Sequence, residues 1–421
     1  MELDVCGQIP ADWDVTTIED VCERVTSGGT PSRARPEYYC DGKWGWVKTQ
    51  ELRDAWIDQT EERITDEAIE KSSAKVLPAN TVLLALYGAT VGQLGILRRS
   101  MTCNQACCAM IVDPRKADFR YVYHQLRLAR PQLRSLATGA AQQNLSGALM
   151  KSLRLPLPPL AEQQRIAHIL GTLDDKIELN RRMNATLEGI SRALFKSWFV
   201  DFDPVRQKAA GQQPVGMDAQ TAALFPDSFE ESEIGEVPKG WRVGRLDDSI
   251  VLQRGFDLPA HSRVNGEYPI LAAGGLNGFH NAFMVRGPGV TTGRSGVLGN
   301  VFYVHEDFWP LNTSLWVKEY KASTPLHAYH VLSQIDFRVF NAGSAVPTLN
   351  RNHVHSLPIA RADMSAIKAF DATVRPVFQA IRERERESRT LAALRDTLLP
   401  KLLSGEIRVP EAERAVEEAI A

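Results

Sequence analysis

The chain has 421 residues and a formal net charge of −2, and 44% of its residues are hydrophobic and 24% charged. This composition is that of an ordinary globular protein and excludes disordered and fibrous chains. The near-neutral charge argues against nucleic-acid binding over the whole surface but allows a local basic face. Residues 1–13 lack the basic start and apolar core of a secretory signal, and the longest uncharged window, 76–97, is interrupted by proline and glycine. We therefore expect a cytoplasmic protein without a membrane span.

Charge is distributed unevenly along the chain. Residues 1–70 contain 7 basic and 17 acidic side chains, a net charge of −10, whereas residues 71–155 contain 12 basic and 2 acidic ones, a net charge of +10. A basic excess of this size suits the binding of phosphate groups. Alternatively, the basic segment complements the acidic first 70 residues within one domain. The sequence leaves both interpretations open.

The chain contains an internal duplication. Residues 10–20 match residues 238–248, so that Trp13 corresponds to Trp241, and we expect both tryptophans in a core rather than on a base-stacking surface. Further matches pair Gly88 with Gly293, Asn104 with Asn312, and Gly139 with Gly343. The period of about 200 residues is too long for a solenoid repeat.

Each copy begins with a part rich in short strands. Residues 82–87 and 297–304 are β-branched or aromatic runs next to glycine, which is typical of half-buried strands. Prolines then precede a long helical pattern in each copy. The sequence thus predicts an α+β fold with two β-rich domains, each followed by a long helix.

Both helical patterns carry an apolar stripe in steps of four and three residues, which keeps one face against a partner helix. The stripes turn polar at Asn180 and Asn184 and at Arg384 and Ser388, where buried polar groups would fix the register. A pseudo-two-fold axis through the helices would pair them as an antiparallel coiled-coil spacer. The alternative is that each helix packs on its own domain. The predicted seam consists of Ile166, Leu170, Leu173, Ile177, Leu187, Leu194, Trp198, Ile367, Phe370, Val374, Val377, Ile381, Leu391 and Leu398.

The repeat and the changes in composition predict a division of the chain into six segments. They are a first β-rich domain at 1–155, a first spacer helix at 156–200, an acidic connector at 201–237, a second β-rich domain at 238–360, a second spacer helix at 361–405 and a C-terminal tail at 406–421.

Side chains that distinguish base pairs are mostly arginine, lysine, asparagine and glutamine. The candidates for DNA contact are Lys48, Gln50, Arg98, Arg99, Gln142 and Gln143 in the first copy, and Arg254, Arg263, Arg294, Asn350 and Arg351 in the second. Arg98 and Arg99 follow a glycine turn in the basic segment. For each candidate, an ordinary solvated side chain remains the alternative.

The sequence contains no motif for catalysis or for a bound metal. Its single Gly-Lys pair is followed by Trp44, so a phosphate-binding loop is missing. Cys103, Cys107 and Cys108 lack a second group of ligands, and a zinc site requires about four. We therefore expect no catalytic residue and no metal site in this chain.

Several motifs resemble those of the specificity (S) subunits of type I restriction–modification systems. They are WVKTQEL (46–52), TVLLALYGATVGQLGI (81–96), CNQA (103–106), TGAAQQNLS (138–146), LPLPPLAEQQRIAHILGTLDDKIELN (155–180), LFKSWFVDFDPV (194–205) and LLPKLLSGEI (398–407). The motif at 155–180 is the most specific, and the second copy lacks its PPL-x-EQ signature. Together the motifs extend over nearly the whole chain.

The resemblance implies two target recognition domains and a coiled-coil spacer in a chain without catalytic activity. Such a chain binds a bipartite, asymmetric site in double-stranded DNA and recruits two DNA methyltransferase (M) subunits and ATP-driven restriction (R) subunits. The resemblance implies no cofactor in this chain, since S-adenosylmethionine, ATP and Mg²⁺ belong to the partners. Two alternatives are a coiled-coil scaffold that does not bind DNA and a fused enzyme, which the missing motifs disfavour.

Overall fold

The computed structural model describes residues 9–137, 144–343 and 346–420, and the chain divides into two compact units. Unit 1 consists of Met1–Arg181 and Glu385–Ala421, and unit 2 consists of Arg182–Arg384. Unit 1 is therefore built from two separate stretches of the chain, whereas unit 2 is continuous.

Unit 1 begins with short strands and helices. The strands are β1 (Asp14–Thr17), β2 (Cys22–Ser27), β3 (Trp44–Val47), β4 (Ala55–Ile57), β5 (Arg63–Ile64), β6 (Val82–Ala85), β7 (Leu94–Leu97), β8 (Thr102–Cys103), β9 (Cys107–Val112) and β10 (Arg154–Leu157). The helices are α1 (Ile18–Val21), α2 (Asp66–Glu70), α3 (Phe119–Ala137), α4 (Gly147–Lys151) and the long α5 (Leu160–Phe199).

Unit 2 contains a connector and the second copy. The connector forms α6 (Asp203–Ala209), α7 (Ala219–Ala222), β11 (Phe229–Ser232) and β12 (Gly235–Pro238). The strands that follow are β13 (Arg242–Arg245), β14 (Ile250–Arg254), β15 (Tyr268–Ala272), β16 (Gly275–His280), β17 (Gly289–Gly293), β18 (Val301–Val304), β19 (Trp309–Pro310), β20 (Ser314–Tyr320) and β21 (Pro358–Arg361). The remaining helices are α8 (Pro325–Ser333), α9 (Arg351–His355), the long α10 (Met364–Ser404) and, in unit 1, α11 (Val409–Ile420).

The two copies share a plan of strand pairing. The larger sheet has the order β2-β9-β6-β7-β4 in unit 1 and β14-β20-β17-β18 in unit 2, and the smaller sheets are β5-β3-β8 and β16-β15-β19. The β3–β8 and β15–β19 pairs are both parallel, and β1–β10 and β13–β21 are both antiparallel. The α+β fold class is thus confirmed, and the internal repeat is present in the strand order.

Strand pairing corrects two matches made from the sequence. Leu86 and Arg294 each donate a backbone N–H, at 2.9 and 2.8 Å, to the turn that precedes the neighbouring strand of the larger sheet. The two residues therefore occupy the same position in the repeat. Gly88 therefore corresponds to Gly296 rather than to Gly293. Both glycines have a positive φ, 77° and 92°, which glycine adopts without steric cost.

The second correction concerns Asn104, which corresponds to Leu311 rather than to Asn312. The N–H groups of Asn104 and Leu311 donate to equivalent strands, β3 and β15, at 2.9 and 2.8 Å. Asn312 therefore corresponds to Gln105. Gly139, which the sequence pairs with Gly343, lies outside the described residues.

The strand expected at residues 82–87 is β6, and it is fully buried rather than half-buried. Val82 and Leu84 pack in the core that includes α3, while Leu83 and Ala85 face a second apolar cluster on the other side of the sheet. Because both faces of the strand are covered, it lacks the polar alternation of a half-buried strand.

The strand expected at residues 297–304 is shorter in the structure and starts at Val301. Gly296 and Gly299 both have a positive φ, 92° and 96°, so the chain turns before the strand begins. The expectation for the tryptophans is confirmed, because Trp13 and Trp241 are only 5% and 3% exposed.

In unit 1 the first part of α5 packs against the last part of α10. Asp174 accepts a hydrogen bond from Arg395 at 2.6 Å, and Asn180 donates to Glu387 at 2.7 Å. Residue numbers therefore rise along α5 where they fall along α10, which makes the pair antiparallel. The Asn180 amide also contacts the Ser388 hydroxyl at 3.3 Å, so the polar positions of the two stripes do meet here.

In unit 2 the last part of α5 packs antiparallel against the first part of α10. Phe195 and Phe199 lie 5.7 and 5.3 Å from Phe370, measured between ring centroids. Asn184 donates to the backbone oxygen of Ile381 at 3.4 Å, whereas Arg384 donates within its own helix at 2.9 Å. Helix pairing is thus present within each unit.

Most of the predicted seam is buried. The buried members are Ile166, Leu170, Leu173, Trp198, Ile367, Phe370, Val374, Ile381, Leu391 and Leu398. The partly exposed members are Ile177, Leu187, Leu194 and Val377.

Each unit also buries a Tyr-His pair that the sequence comparison missed. Tyr123-His124 in α3 and Tyr329-His330 in α8 form edge-on ring contacts at 5.1 and 5.0 Å. Each of the two histidines is only 1% exposed. Burial lowers the pKa of both imidazoles, to about 3 for His330, so both are neutral in the folded protein.

Candidate nucleic-acid interface

Four backbone segments meet at one end of the larger sheet in each unit. In unit 1 they are residues 28–30, 86–88, 104–106 and 144–145, which we call loop cluster 1. In unit 2 they are residues 255–257, 294–296, 311–313 and 348–349, which we call loop cluster 2.

A glycine permits the closest backbone approach in each cluster. A Cβ atom on Gly28 would lie 2.0 Å from the backbone oxygen of Cys103, and one on Gly255 would lie 2.2 Å from that of Leu311. No larger residue fits at either position unless the backbone moves. Both clusters therefore require a residue without a side chain at this point, and Gly28 and Gly255 are the sequence features that indicate it.

A side-chain contact joins the same two segments. The Thr30 hydroxyl donates to the Gln105 side chain in loop cluster 1, and the Asn312 amide donates to Asp257 in loop cluster 2. The positions correspond in the repeat, whereas the residue types differ. The backbone arrangement is thus kept while the polar groups change.

A third contact ties the remaining segments together. The N–H of Leu145 donates to the oxygen of Leu86 at 2.7 Å, and the N–H of Leu349 donates to the oxygen of Arg294 at 2.8 Å. The side chains at this shared position differ sharply. Leu86 is 4% exposed and belongs to the core, whereas Arg294 is half-buried and charged.

A backbone carbonyl in each cluster accepts a hydrogen bond from a long side chain. The Tyr87 hydroxyl donates to the oxygen of Gln105 at 2.8 Å, and Nε of Arg294 donates to the oxygen of Asn312 at 3.0 Å. Burial raises the pKa of Tyr87, which keeps its hydroxyl protonated as a donor. The long side chains are therefore held in place without a ligand.

Lys48 lies next to loop cluster 1, but its charge is already paired. Its Nζ lies 2.6 Å from Glu61 and 2.9 Å from Glu62, and the side chain is 19% exposed. Hydrogen bonds to these two carboxylates raise the pKa of Lys48. Gln50, two residues further on, is exposed.

Arg98 and Arg99 lie at the other end of β7, away from loop cluster 1. Arg98 pairs with Asp58 at 2.8 Å and lies over the ring of Trp56 at 4.5 Å, while Arg99 is exposed. The structure therefore does not bring these arginines together with the other described candidates of the first copy. Gln142 and Gln143 lie outside the described residues.

The second copy brings most of its candidates together. Arg254 directly precedes Gly255 and pairs with Asp257 at 3.7 Å. Asn350 caps α9 with its side chain, and the exposed Arg351 donates to a carbonyl of β14 at 3.4 Å. With Arg294, these residues lie in or beside loop cluster 2.

Arg263 is separate from loop cluster 2, in the loop between β14 and β15. Its guanidinium donates to the backbone oxygen and the side-chain oxygen of Asn277, at 3.0 and 2.8 Å. Arg263 thus connects its loop to β16.

Part of the basic segment is neutralised inside unit 1. Lys71, Arg98, Arg130 and Lys151 pair with Glu67, Asp58, Asp54 and Glu19, respectively. All four carboxylates come from the acidic first 70 residues. Complementary charge within one unit therefore accounts for these four basic side chains.

Arg130 and Arg134 were not among the sequence candidates, although they support loop cluster 1. Arg130 donates to Asp54 at 2.8 Å and to the oxygen of Gly92 at 2.7 Å, and Arg134 donates to the oxygen of Val91 at 3.1 Å. They fix the loop that follows Gly88 against α3. The sequence feature that could have identified them is their spacing, because two arginines four residues apart lie on one face of a helix.

Within residues 9–137, 144–343 and 346–420, no group of three or more His, Cys, Asp or Glu side chains is placed to hold a metal ion. None of the helices in these described ranges is long and apolar enough to cross a membrane. The groups that the clusters offer are hydrogen-bonding amides, hydroxyls, guanidinium ions and the Asp257 carboxylate, which suit polar recognition.

The chain is similar in sequence to known specificity subunits. Residues 10–189 match the model of the type I restriction modification DNA specificity domain. The chain is 27% identical to the type I restriction enzyme MjaIX specificity subunit of Methanocaldococcus jannaschii, with 96% of each chain covered. It is 28% identical to the type I restriction enzyme HindI specificity subunit of Haemophilus influenzae, with 61% of this chain and 70% of the relative covered.

The fold is also similar to a solved structure. The crystal structure of the type I restriction–modification S subunit from M. genitalium matches with a TM-score of 0.55 and 19% identity, over 95% of this chain and 98% of that chain. This match supports the fold, while the sequence relatives support the family. The chain is therefore similar to the specificity subunits of type I restriction–modification systems, over residues 10–189 in the family model and over 96% of its length in one relative.

Proposed function

We propose that the chain recognises an asymmetric, bipartite site in double-stranded DNA as the specificity subunit of a type I restriction–modification complex. The observation that carries this proposal is the repetition of the loop clusters. The same backbone contacts support both clusters, whereas the polar side chains on them differ. Two similar supports with different hydrogen-bonding groups suit two half-sites of different sequence. The family relationship also disfavours a scaffold that binds only proteins.

The candidate residues divide into two groups by position. Direct reading of bases requires donors and acceptors on a rigid support, while contacts to phosphate fix the position of the protein. We assign base contacts to the candidates in or near the clusters, which are Lys48, Gln50, Arg254, Arg294, Asn350 and Arg351. We also assign base contacts to Gln142 and Gln143, which lie outside the described residues. We assign phosphate contacts to Arg98, Arg99 and Arg263.

The remaining segments have supporting roles in this proposal. Residues 1–155 and 238–360 are the target recognition domains, 156–200 and 361–405 are the spacer helices, 201–237 is the connector and 406–421 is the tail. Two methyltransferase subunits and the restriction subunits assemble on this chain in the cytoplasm. Those partners bind S-adenosylmethionine, ATP and Mg²⁺, and this chain requires no cofactor of its own.

Selection from a randomised DNA duplex pool tests the proposal. The full chain, together with its methyltransferase partner, is expected to enrich a split site with two unlike halves. Specific affinity should exceed non-specific affinity by about 10³-fold or more at physiological salt. If no sequence is enriched with the partner present, the chain is a scaffold. Methylation or cleavage of DNA by the isolated chain would contradict the non-catalytic role.

Exchange of one domain distinguishes two half-sites from a single composite site. Replacement of residues 1–155 by the corresponding part of another specificity subunit should change one half of the enriched site and leave the other half unchanged. A change in both halves would contradict independent recognition by the two copies.

A further inference from the structure

We propose that Arg294 reads a guanine in the half-site bound by unit 2, and that unit 1 has no equivalent contact. The inference rests on the proposed DNA-recognition function and specifies one side chain and one base within it.

Arg294 is fixed to three neighbouring segments. Its N–H donates to the oxygen of Thr313 at 2.8 Å, and its own oxygen accepts from the N–H of Leu349 at 2.8 Å. Its Nε donates to the oxygen of Asn312 at 3.0 Å. Because backbone and guanidinium are already held, less conformational entropy is lost when a ligand binds.

The guanidinium has donors left for a ligand. Arginine carries five N–H donors, and the bond from Nε uses one of them. In the part of the chain that the structure describes, the two terminal nitrogens of Arg294 make no hydrogen bond. Among the bases, guanine alone presents two neighbouring acceptors, O6 and N7, in the major groove, and an arginine fork matches them.

The two loops beside Arg294 each expose an apolar side chain. Val297 and Val346, on the two loops beside it, are 45% and 54% exposed. The N–H of Gly296 donates to the oxygen of Pro347 at 2.9 Å and holds these loops together. Base edges offer apolar methyl groups as well as acceptors, so these two valines suit contact with a base next to the guanine.

Unit 1 differs at the same position. Leu86 makes the corresponding backbone hydrogen bonds but is 4% exposed and packs in the core. A buried leucine offers no donor to a base. The guanine contact is therefore a property of the second half-site only, and it contributes to the asymmetry of the target.

Arg294→Lys tests the inference, because lysine keeps the charge but lacks the planar fork. In duplex selection with the full chain and its methyltransferase partner, the wild-type complex should require a guanine at one position of one half-site. The variant should lose roughly 5- to 150-fold of the discrimination at that position, as expected for a bidentate contact. Replacement of that guanine by 7-deazaguanine, which lacks N7, should weaken the wild-type complex more than the variant, because only arginine makes the bidentate contact.

Two controls accompany the Arg294 variant. Arg245→Lys changes an exposed arginine that pairs with Asp247 and lies outside loop cluster 2, and it should leave both half-sites unchanged. An unchanged first half-site in the Arg294 variant shows that the chain is folded. The inference is wrong if Arg294→Lys retains every base preference or loses one for a base other than guanine. If the wild-type complex enriches no sequence, the proposed function itself fails, and the inference fails with it.

Discussion

The two units hold the same pair of helices with different chemistry. In unit 1 Asp174 of α5 accepts hydrogen bonds from Arg395 of α10 and from Arg127 of α3, at 2.6 and 3.3 Å. In unit 2 the two helices pack through aromatic rings, among them Phe195 and Phe370. Antiparallel pairing thus depends on a continuous buried stripe and not on one type of side chain.

Because of this difference, substitutions and changes in pH should affect the stability of the two units in different ways. A buried ion pair costs desolvation energy and is sensitive to the loss of either partner. Burial raises the pKa of Asp174, although both arginines act in the opposite direction. Aromatic packing has no such dependence on charge, but in unit 2 it encloses histidines that must stay neutral. The following substitutions and pH changes distinguish ion pairing in unit 1 from aromatic packing in unit 2, and they run from the largest expected effect to the smallest.

Phe370→Ala should cause the largest loss of stability. The side chain is fully buried, and its removal leaves a cavity among four neighbouring rings, so the free energy of unfolding should fall by about 3–5 kcal/mol. Hydrogen exchange measured by mass spectrometry should show lost protection mainly in residues 182–384. Val339→Ala is the control, because Val339 is 72% exposed. Equal loss of protection in both units would contradict separate cores.

Arg395→Met should destabilise unit 1 by about 1–3 kcal/mol, because the partly buried Asp174 is left with one arginine partner fewer. Urea unfolding combined with hydrogen exchange in residues 1–181 measures this loss. Addition of Asp174→Leu should restore part of the stability, since it removes the poorly paired buried charge. Arg386→Met, on an exposed face of α10, serves as the control. If the double variant is no better than the single one, the ion pair is not the source of the effect.

Acid should destabilise unit 2 through its histidines. Burial lowers the pKa of His327 and His330 to about 3, while an unfolded histidine titrates near 6.5. Between these values only the unfolded chain binds the protons, so the free energy of unfolding falls as the pH drops below 6.5. Each histidine contributes about 2 kcal/mol of this loss at pH 5.

His330→Phe should remove one half of the acid-induced loss of stability that His327 and His330 cause together. The His330 ring stacks on Phe195 with 5.3 Å between the ring centroids, and its two nitrogens have no hydrogen-bond partner among the described residues, so phenylalanine suits the site. Urea unfolding of unit 2 between pH 5 and pH 7 gives the slope. An unchanged slope in the variant would show that His330 is protonated without unfolding.

Thr17→Ala should have the smallest effect, a loss of about 1 kcal/mol. The Thr17 hydroxyl accepts from the N–H of Asp20 at 3.2 Å and caps α1 in unit 1. The corresponding residue in unit 2 is Arg245, whose side chain makes no capping hydrogen bond, so Arg245→Ala should change stability by less than about 0.5 kcal/mol. Thermal unfolding of both variants checks the difference.

The long helices and the repeat could be predicted from the sequence because their signals are local or periodic. The apolar stripes placed the seam of α5 and α10, and the strand order bears out the duplication. The exact matches could not be obtained in the same way. The predicted Gly88–Gly293 pair differs by three residues from the observed Gly88–Gly296 pair, and the predicted Asn104–Asn312 pair differs by one residue from Asn104–Leu311. Only hydrogen bonds between strands reveal such shifts.

The candidate site was less predictable because it depends on contacts distant in sequence. Lys48 is paired because β3 and β5 are neighbours and bring Glu61 and Glu62 close to it. Arg98 lies away from loop cluster 1 because it follows the far end of β7. Arg294, in contrast, could be placed in a loop next to a buried strand from the sequence, but its three anchoring hydrogen bonds could be identified only from the fold.

The composition of unit 1 from two distant stretches has a consequence for synthesis. Residues 385–420 supply Leu391 and Leu398 to its core, and Arg408 and Glu413 pair with Asp12 and Arg165. A ribosome makes these residues after all of unit 2. Domains usually fold in the order in which they are translated. Here unit 2 is continuous and can complete its core first. The strands of unit 1 are synthesised earlier, but the core of unit 1 is complete only after residues 385–420 have been synthesised.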